Sequence, residues 1–539
     1  MKRFALLAVL IVGCSGPLAA TAEQLGGSSP TPHEEAGAQD DSGVVADSGV
    51  VQDSGVVQDS GVVQDSGVDG GSTLVVATDI VISEIALFQG VKVPIMKDGV
   101  VAKSTYAPIV AGRPGLLRIY VKPSATFQPR ELTAELALTT PNGTSVRRTT
   151  MVVSTSSSDE ALSSSINFTI AAEDLVAGNS SFKLRVLGAP STVSSTTLPA
   201  QYPADLSDAA LVAVGSGKLS IVLVPVRYYA DGSGRLPDTS AATIEKYRAA
   251  FFENYPVAAV DLSVRTAPMP WSAQISSIEQ WRDVLNQVTA LRTQDGVASD
   301  VYYMGIFQPT AAYATYAGAA GGLAWRLTST DTNFRAGVAL AYTSDAWAFP
   351  HNIRAAMHEM AHLHGRAHVN NTGTNPSCST PSDVDASFPY GGDGTIGTWG
   401  YGLLDKKLYD PSTYTDLMGY CLDYRWVSDY TFGALLTRLQ TVSPVTKGLA
   451  LPGGEYRFVQ IGTNGSLRWG QTVDFPTMPS NNPTTVRAVD SNGQIRNITG
   501  YYYPYGDDVG AMLLVRKSDV SGKRLELDIQ GSTRTLAYQ

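Results

Sequence analysis

The stretch that most constrains this chain is His358-Glu359-Met360-Ala361-His362-Leu363-His364-Gly365-Arg366-Ala367-His368. Its fixed positions read H-E-x-x-H-x-x-G-x-x-H. On a helix, His358 and His362 stand one turn apart on one face, so both imidazoles reach the same cation. Gly365 can take the left-handed conformation without a Cβ clash; that ends the helix and swings His368 back as a third ligand. Three neutral imidazoles and one water make a tetrahedral zinc site with an open position. Glu359, turned about 100° from His358 around the helix, can accept a proton from a metal-bound water without being a ligand.

Local sequence supports the helix. Ile353, Ala356, Met357, Met360 and Ala361 recur at helical spacing and form an apolar stripe that would pack on a sheet. Pro350 suits a first turn. His364 lies about 200° from His362 around the helix, so it faces away from the metal as a solvated or hydrogen-bonded bystander. His351, two turns upstream, is too distant to ligate.

These residues, with a later turn at Asp416-Leu417-Met418-Gly419-Tyr420, resemble the metzincin clan of zinc endopeptidases. Phe388-Pro389-Tyr390, Ile396 to Tyr401 and Trp426 to Tyr430 are similar to bacterial mucinase-type metzincins and their lipoprotein relatives. The resemblance covers roughly residues 216 to 435 and is most specific at the histidines. It implies that Met418 forms the methionine turn, a soft apolar floor under the histidines. It also implies Tyr420 as a candidate stabiliser of a developing oxyanion, with simple packing as the alternative role.

At the N-terminus, Lys2 and Arg3 precede an apolar run from Phe4 to Val12 that is too short to span a bilayer and reads as a secretion signal, residues 1–13. Leu10 to Cys14 resembles a bacterial lipobox, which implies lipidation at Cys14; later cleavage near Ala19-Ala20 is the alternative. The expected location is therefore lipid-anchored at the bacterial outer membrane or cell surface, or secreted. Residues 14–74 contain a hexad, Asp-Ser-Gly-Val-Val-Gln/Ala, with too little apolar surface to offset ordering entropy, and read as a disordered acidic tether. Ten acidic residues and no Lys or Arg lie between Glu23 and Asp69. The formal charge of −10 belongs to that segment; beyond it and the signal, 37 basic face 39 acidic residues, which argues against a nucleic-acid partner.

The remaining chain is expected to be multidomain, α/β plus all-β. Residues 75–212 alternate apolar and polar in short runs, such as Leu116 to Val121 and Leu132 to Leu138, and read as an immunoglobulin-like β-sandwich. In residues 213–444, strands at Leu219–Val226, Val260–Val264, Val301–Phe307 and Ala336–Tyr342 alternate with helices at Ala241–Tyr255 and Ser277–Leu291. That is the order a metzincin-like domain needs: a twisted mixed sheet with an active-site helix. The glycine-rich Gly318–Gly322 is expected to flank an edge strand to which an extended peptide could add. Residues 445–539 read as a small β-domain, in which Tyr501, Tyr502, Tyr503 and Tyr505 either pack on their own core or form an aromatic face for sugars.

Cys378 and Cys421 are an even pair in an exported chain and are expected to form a disulfide, with two buried thiols as the alternative. The functional expectation is a monomeric zinc endopeptidase acting on extracellular proteins, mucin-type glycoproteins among them by resemblance. Its ligands are His358, His362 and His368, and Glu359 is the general base. Membrane contact is expected only through an N-terminal lipid. The alternative is a non-catalytic surface adhesion or glycan-binding lipoprotein with a vestigial zinc site.

Overall fold

A computed structural model describes residues 74–539 apart from 104, 179, 191–199, 344, 346–347, 372–377, 422, 443–450, 508, 530 and 538–539. The expected signal, lipidation site at Cys14 and acidic repeats lie outside the described residues. The fold is β-rich, built from several sheets with a few helices.

Two antiparallel sheets come first. One runs in the order Val75–Val76, Ser180–Gly188, Arg130–Thr140, Gly143–Val153; the other is built on Gly90–Lys97, Ile80–Phe88, Gly115–Pro123 and Ile166–Ile170. Alternation turns Leu132, Ala134, Leu136 and Leu138 of one sheet and Leu117, Ile119 and Val121 of the other into a shared buried cluster. The second sheet continues into later sequence, because Gly400–Tyr401 pairs antiparallel with Gly90 and Val91.

Alternating strands and helices follow. They are β1 (Lys218–Tyr228), α1 (Ala241–Asn254), β2 (Ala259–Val264), α2 (Ile278–Gln294), β3 (Val301–Phe307), β4 (Gly322–Ala324), β5 (Ala336–Leu340), α3 (Ala348–Leu363) and α4 (Asp429–Val442). The sheet order is β2-β1-β3-β5-β4, parallel throughout except for β4, which runs antiparallel along β5 at the edge. Side chains set where helices begin. The Ser240 hydroxyl accepts from the Thr243 amide at the start of α1, and Ser277 with Gln280 forms a capping box on α2. On α3 the Asp345 carboxylate accepts from the Ala348 amide at 2.9 Å. The stripe predicted for α3 is buried: Ile353, Ala356, Met357, Met360 and Ala361 all join the main core, and α3 packs on β5 and β4. Each of the larger side chains in it stabilises the fold by roughly 1.5–3 kcal/mol.

The last part is a seven-stranded antiparallel sheet, ordered Leu467–Thr477, Pro452–Ile461, β7 (Ala511–Arg516), β6 (Ile495–Pro504), Pro483–Val489, Arg524–Ile529, Ser532–Leu536. One face, with Tyr456, Phe458, Met512 and Leu514, joins the main core; the other, with Val486, Leu513 and Val515, builds its own. The tyrosine run follows that alternation. Tyr501, Tyr503 and Tyr505 pack against the main core and Tyr502 against the second, so the four make no common sugar-binding face.

Candidate metal centre

The motif residues converge. α3 carries His358 and His362 one turn apart. It stops where Gly365 takes φ +82° and its amide donates to the His362 carbonyl at 2.8 Å. The chain then returns His368 to the same point, held by backbone hydrogen bonds to Asp383 and Asp385. One ligand atom from each of His358, His362, His368 and Asp507 lies within 4.8 Å of all the others.

Proton bookkeeping shows what this cluster is for. Nδ1 of His358 lies 2.9 Å from the Leu417 carbonyl, Nδ1 of His362 2.7 Å from that of Arg366, and Nδ1 of His368 2.8 Å from that of Ser382. A carbonyl oxygen only accepts, so each Nδ1 carries a proton and each ring turns its Nε2 inward. Burial first, and the crowding of imidazoles that cannot all carry a proton second, hold His358 and His362 well below the usual imidazole range, so both are neutral and each points an Nε2 lone pair inward. Their Nε2 atoms nonetheless stand 3.1 Å apart, and Nε2 of His368 is 3.3 Å from an Asp507 carboxylate oxygen while making no hydrogen bond. Between His358 and His362, lone pair faces lone pair. A cation relieves that repulsion, and a tetrahedron of ligands around zinc has edges of about 3.3 Å. The residues therefore fit a metal ion, and the geometry provides a buried site able to hold one.

Glu359 is buried on the same helix, and its Oε2 has no hydrogen-bond partner among the described residues. It packs against the backbone of β4, where a Cβ on Gly322 would collide with its carboxylate. Burial, then the charge of Asp507, pushes Glu359 well above the usual carboxyl range. Burial opposes ionisation of Asp507 too, but there the facing His368 and His362 and the Tyr420 hydroxyl outweigh it and hold the group low. A divalent cation between the two would draw Glu359 back to the carboxylate, because the ion becomes the largest local charge.

The Asp416–Gly419 turn is tied to the site through its backbone. The Leu417 carbonyl receives His358, and the Met418 carbonyl accepts from the Val369 amide, next to His368, at 3.0 Å. Met418 is fully buried. The turn is held by the Asp416 carboxylate, which accepts from the Met418 and Ser428 amides at 2.8 and 3.0 Å. Tyr420 leaves the turn with its ring 4.7 Å from that of His368 and its hydroxyl donating to Asp507 at 2.6 Å. Cys378 and Cys421 form a disulfide across a short ladder, which ties the segment after His368 to the methionine turn.

The bystanders stand apart. His364 is buried rather than solvated, bonds the Met360 carbonyl at 2.8 Å, and packs on Tyr255 and Tyr302; burial pushes its pKa down to about 3. His351 lies 3.3 Å from Asp423 and is not among the metal-site group.

Asp507 is the residue that sequence reasoning missed. It lies 87 positions beyond Tyr420, in the turn between β6 and β7, and no local spacing ties it to the histidines. The one available signal was a glycine and an acidic residue directly after the tyrosine run, a break in a strand that had to serve something. Compared with protein-family models and with curated proteins, the chain matches none at the significance required.

Proposed function

We propose that this protein is a zinc-dependent endopeptidase of metzincin type, with His358, His362 and His368 as the metal ligands. The observation that carries the reading is the set of three inward Nε2 atoms, each ring fixed by an Nδ1–H donated to a backbone carbonyl, beside a buried carboxylate whose Oε2 is unpartnered among the described residues. Imidazole nitrogen and a closed, buried setting suit zinc among the divalent ions. When bound, zinc supplies a Lewis acid and lowers the pKa of its water toward about 7.

The chain's own groups do the rest. Glu359 takes a proton from the attacking water and returns it to the leaving amine, a role that its Oε2, without a hydrogen-bond partner among the described residues, is free to serve. Tyr420 carries a phenolic O–H at the site, now given to Asp507, which on release from that carboxylate can donate to a developing oxyanion. The edge strand β4, antiparallel to β5 and beside Glu359, supports this reading, because an extended peptide adds to such an edge by main-chain hydrogen bonds. The disulfide agrees with an exported protein, and the lipidated surface location belongs to the same proposal. An adhesive protein with a vestigial site would have no use for an unpartnered carboxylate beside a complete histidine set.

The test is cleavage of casein and of a mucin-type glycoprotein, followed by mass spectrometry, with and without chelator. Because Asp507 lies in the site, wild type and Asp507→Ala are both assayed, each with and without Glu359→Gln. Chelator-sensitive cleavage that vanishes with Glu359→Gln while zinc stays bound supports the reading. No cleavage by either parent protein, or undiminished cleavage after Glu359→Gln, refutes it.

A further inference from the structure

The chain that continues from the edge strand β4 is already paired. Beyond β4 the chain continues extended, and the segment leaving β6 pairs with it: the Gly506 amide donates to the Ala324 carbonyl at 2.8 Å, the Arg326 amide to the Pro504 carbonyl at 3.0 Å, and Trp325 and Tyr505 form an antiparallel bridge. The Tyr505 ring stacks on Trp325 with centroids 4.6 Å apart, and both are buried. Gly506 then passes so close to His362 that a Cβ there would strike the imidazole. One residue later the Asp507 carboxylate sits 3.3 Å from Nε2 of His368 and takes the Tyr420 hydroxyl. An extended segment that adds to a sheet edge and delivers an oxygen to the metal position is how a peptide substrate would lie.

We infer that Pro504–Asp507 is a resident pseudosubstrate: it pairs with the end of β4 and its continuation, Ala324 to Arg326, supplies the Asp507 carboxylate as a fourth metal ligand, and keeps the full chain latent until this turn withdraws. The inference rests on the metal reading above. It accounts for four features at once: the strand pairing, the glycine that permits close passage, the carboxylate among three imidazoles, and the capture of the Tyr420 hydroxyl. A three-histidine site needs an open position for water, and in this arrangement Asp507 takes it. Tyr420 is likewise held by the same carboxylate and is not free to donate to a substrate. Latency of this kind lowers apparent affinity for any competing ligand in proportion to the fraction of molecules with the turn withdrawn.

The experiment uses the full chain loaded with cobalt(II) and titrated with acetohydroxamate, a small bidentate ligand that needs an open metal position, read by visible absorption. Wild type, Asp507→Asn and Asp507→Ala are compared. The expected result is that Asp507→Ala binds the probe at least about tenfold more tightly than wild type, with a different absorption spectrum before any probe is added. Asp507→Asn, which keeps the shape and an acceptor for Tyr420 but loses the charge, should fall between. The alanine variant, with one ligand fewer, should also release cobalt to a chelator faster. Equal probe affinity and identical spectra in wild type and Asp507→Ala would overturn the latch while leaving the metal site standing. Failure of every variant to bind cobalt would overturn both. A cobalt response as expected with no peptide cleavage by Asp507→Ala would uphold the fourth ligand, but it would overturn latency and the endopeptidase reading.

Discussion

Asp416→Asn tests how the methionine turn positions the metal ligands. Asp416 is fully buried, and its two carboxylate oxygens each accept a backbone amide, from Met418 at 2.8 Å and Ser428 at 3.0 Å. An amide side chain has one oxygen, so its NH2 must face one of those N–H groups. That forfeits a hydrogen bond to a charged acceptor, about 1.5–3 kcal/mol, and strands a buried N–H at about 1–3 kcal/mol. Burial raises the Asp416 pKa, which means the native charge is itself costly, and the neutral amide recovers part of the loss. The net expectation is destabilisation by about 2–4 kcal/mol. The effect then travels one residue, because the Leu417 carbonyl between the two anchored positions fixes the His358 tautomer. Zinc affinity should fall about 10–100-fold. Urea unfolding in chelator measures the first quantity and competition with a zinc-binding dye the second. Unchanged stability refutes the hydrogen-bond argument; lower stability with unchanged zinc affinity refutes the claim that the turn orients His358.

Other perturbations follow the same geometry. Gly322→Ala, which drives a methyl into the Glu359 carboxylate, should leave zinc bound while lowering turnover in an Asp507→Ala background by about tenfold or more; equal turnover would mean that Glu359 does not depend on that close packing. Reducing Cys378–Cys421, 43 residues apart in sequence, should lower stability by up to about 4 kcal/mol, seen as a drop in Tm with reductant. His364 is neutral in the fold and takes a proton when unfolded, so its contribution is whole above the unfolded pKa of about 6.5 and is lost as pH falls toward about 3. With chelator present, the wild type should therefore lose about 3 kcal/mol more than His364→Asn between pH 7 and 4.5, and parallel pH profiles would contradict the burial argument.

The motif could be read because its geometry is local. Spacing of four on a helix and a glycine stop place His358, His362 and Glu359 from backbone rules alone, and the returning His368 follows from Gly365. The parallel strands and the two helices between Lys218 and Leu340 were visible for a similar reason, since buried parallel strands are continuous apolar runs, whereas β4 at Gly322–Ala324 is too short and glycine-rich to announce itself. What stayed hidden was long-range or made of main chain. The acceptors that set the three tautomers are carbonyls of Leu417, Arg366 and Ser382, which any side chain would provide. Asp507 comes from another sheet altogether, and its role depends on a pairing between residues near 325 and 505 that no periodicity encodes. His364 was placed off the metal face correctly, but its burial depended on Tyr255 and Tyr302, brought there by α1 and β3.

The pairing of Gly400–Tyr401 with Gly90 and Val91 makes the two N-terminal sheets a splint for the region that carries the histidine cluster. Its neighbours reinforce the join: the Trp426 indole donates to the Gly90 carbonyl at 2.8 Å, and the fully buried Arg113 guanidinium reaches the Val257 and Glu253 carbonyls at 3.0 and 3.2 Å. Cutting the chain near residue 213 would bare a sheet edge, strip an indole of its acceptor and uncover carbonyls that now have a charged donor. The segment that ends in the Asp416–Gly419 turn is thus sewn at both ends, to the loop after His368 by sulfur and to the N-terminal sheets by a ladder.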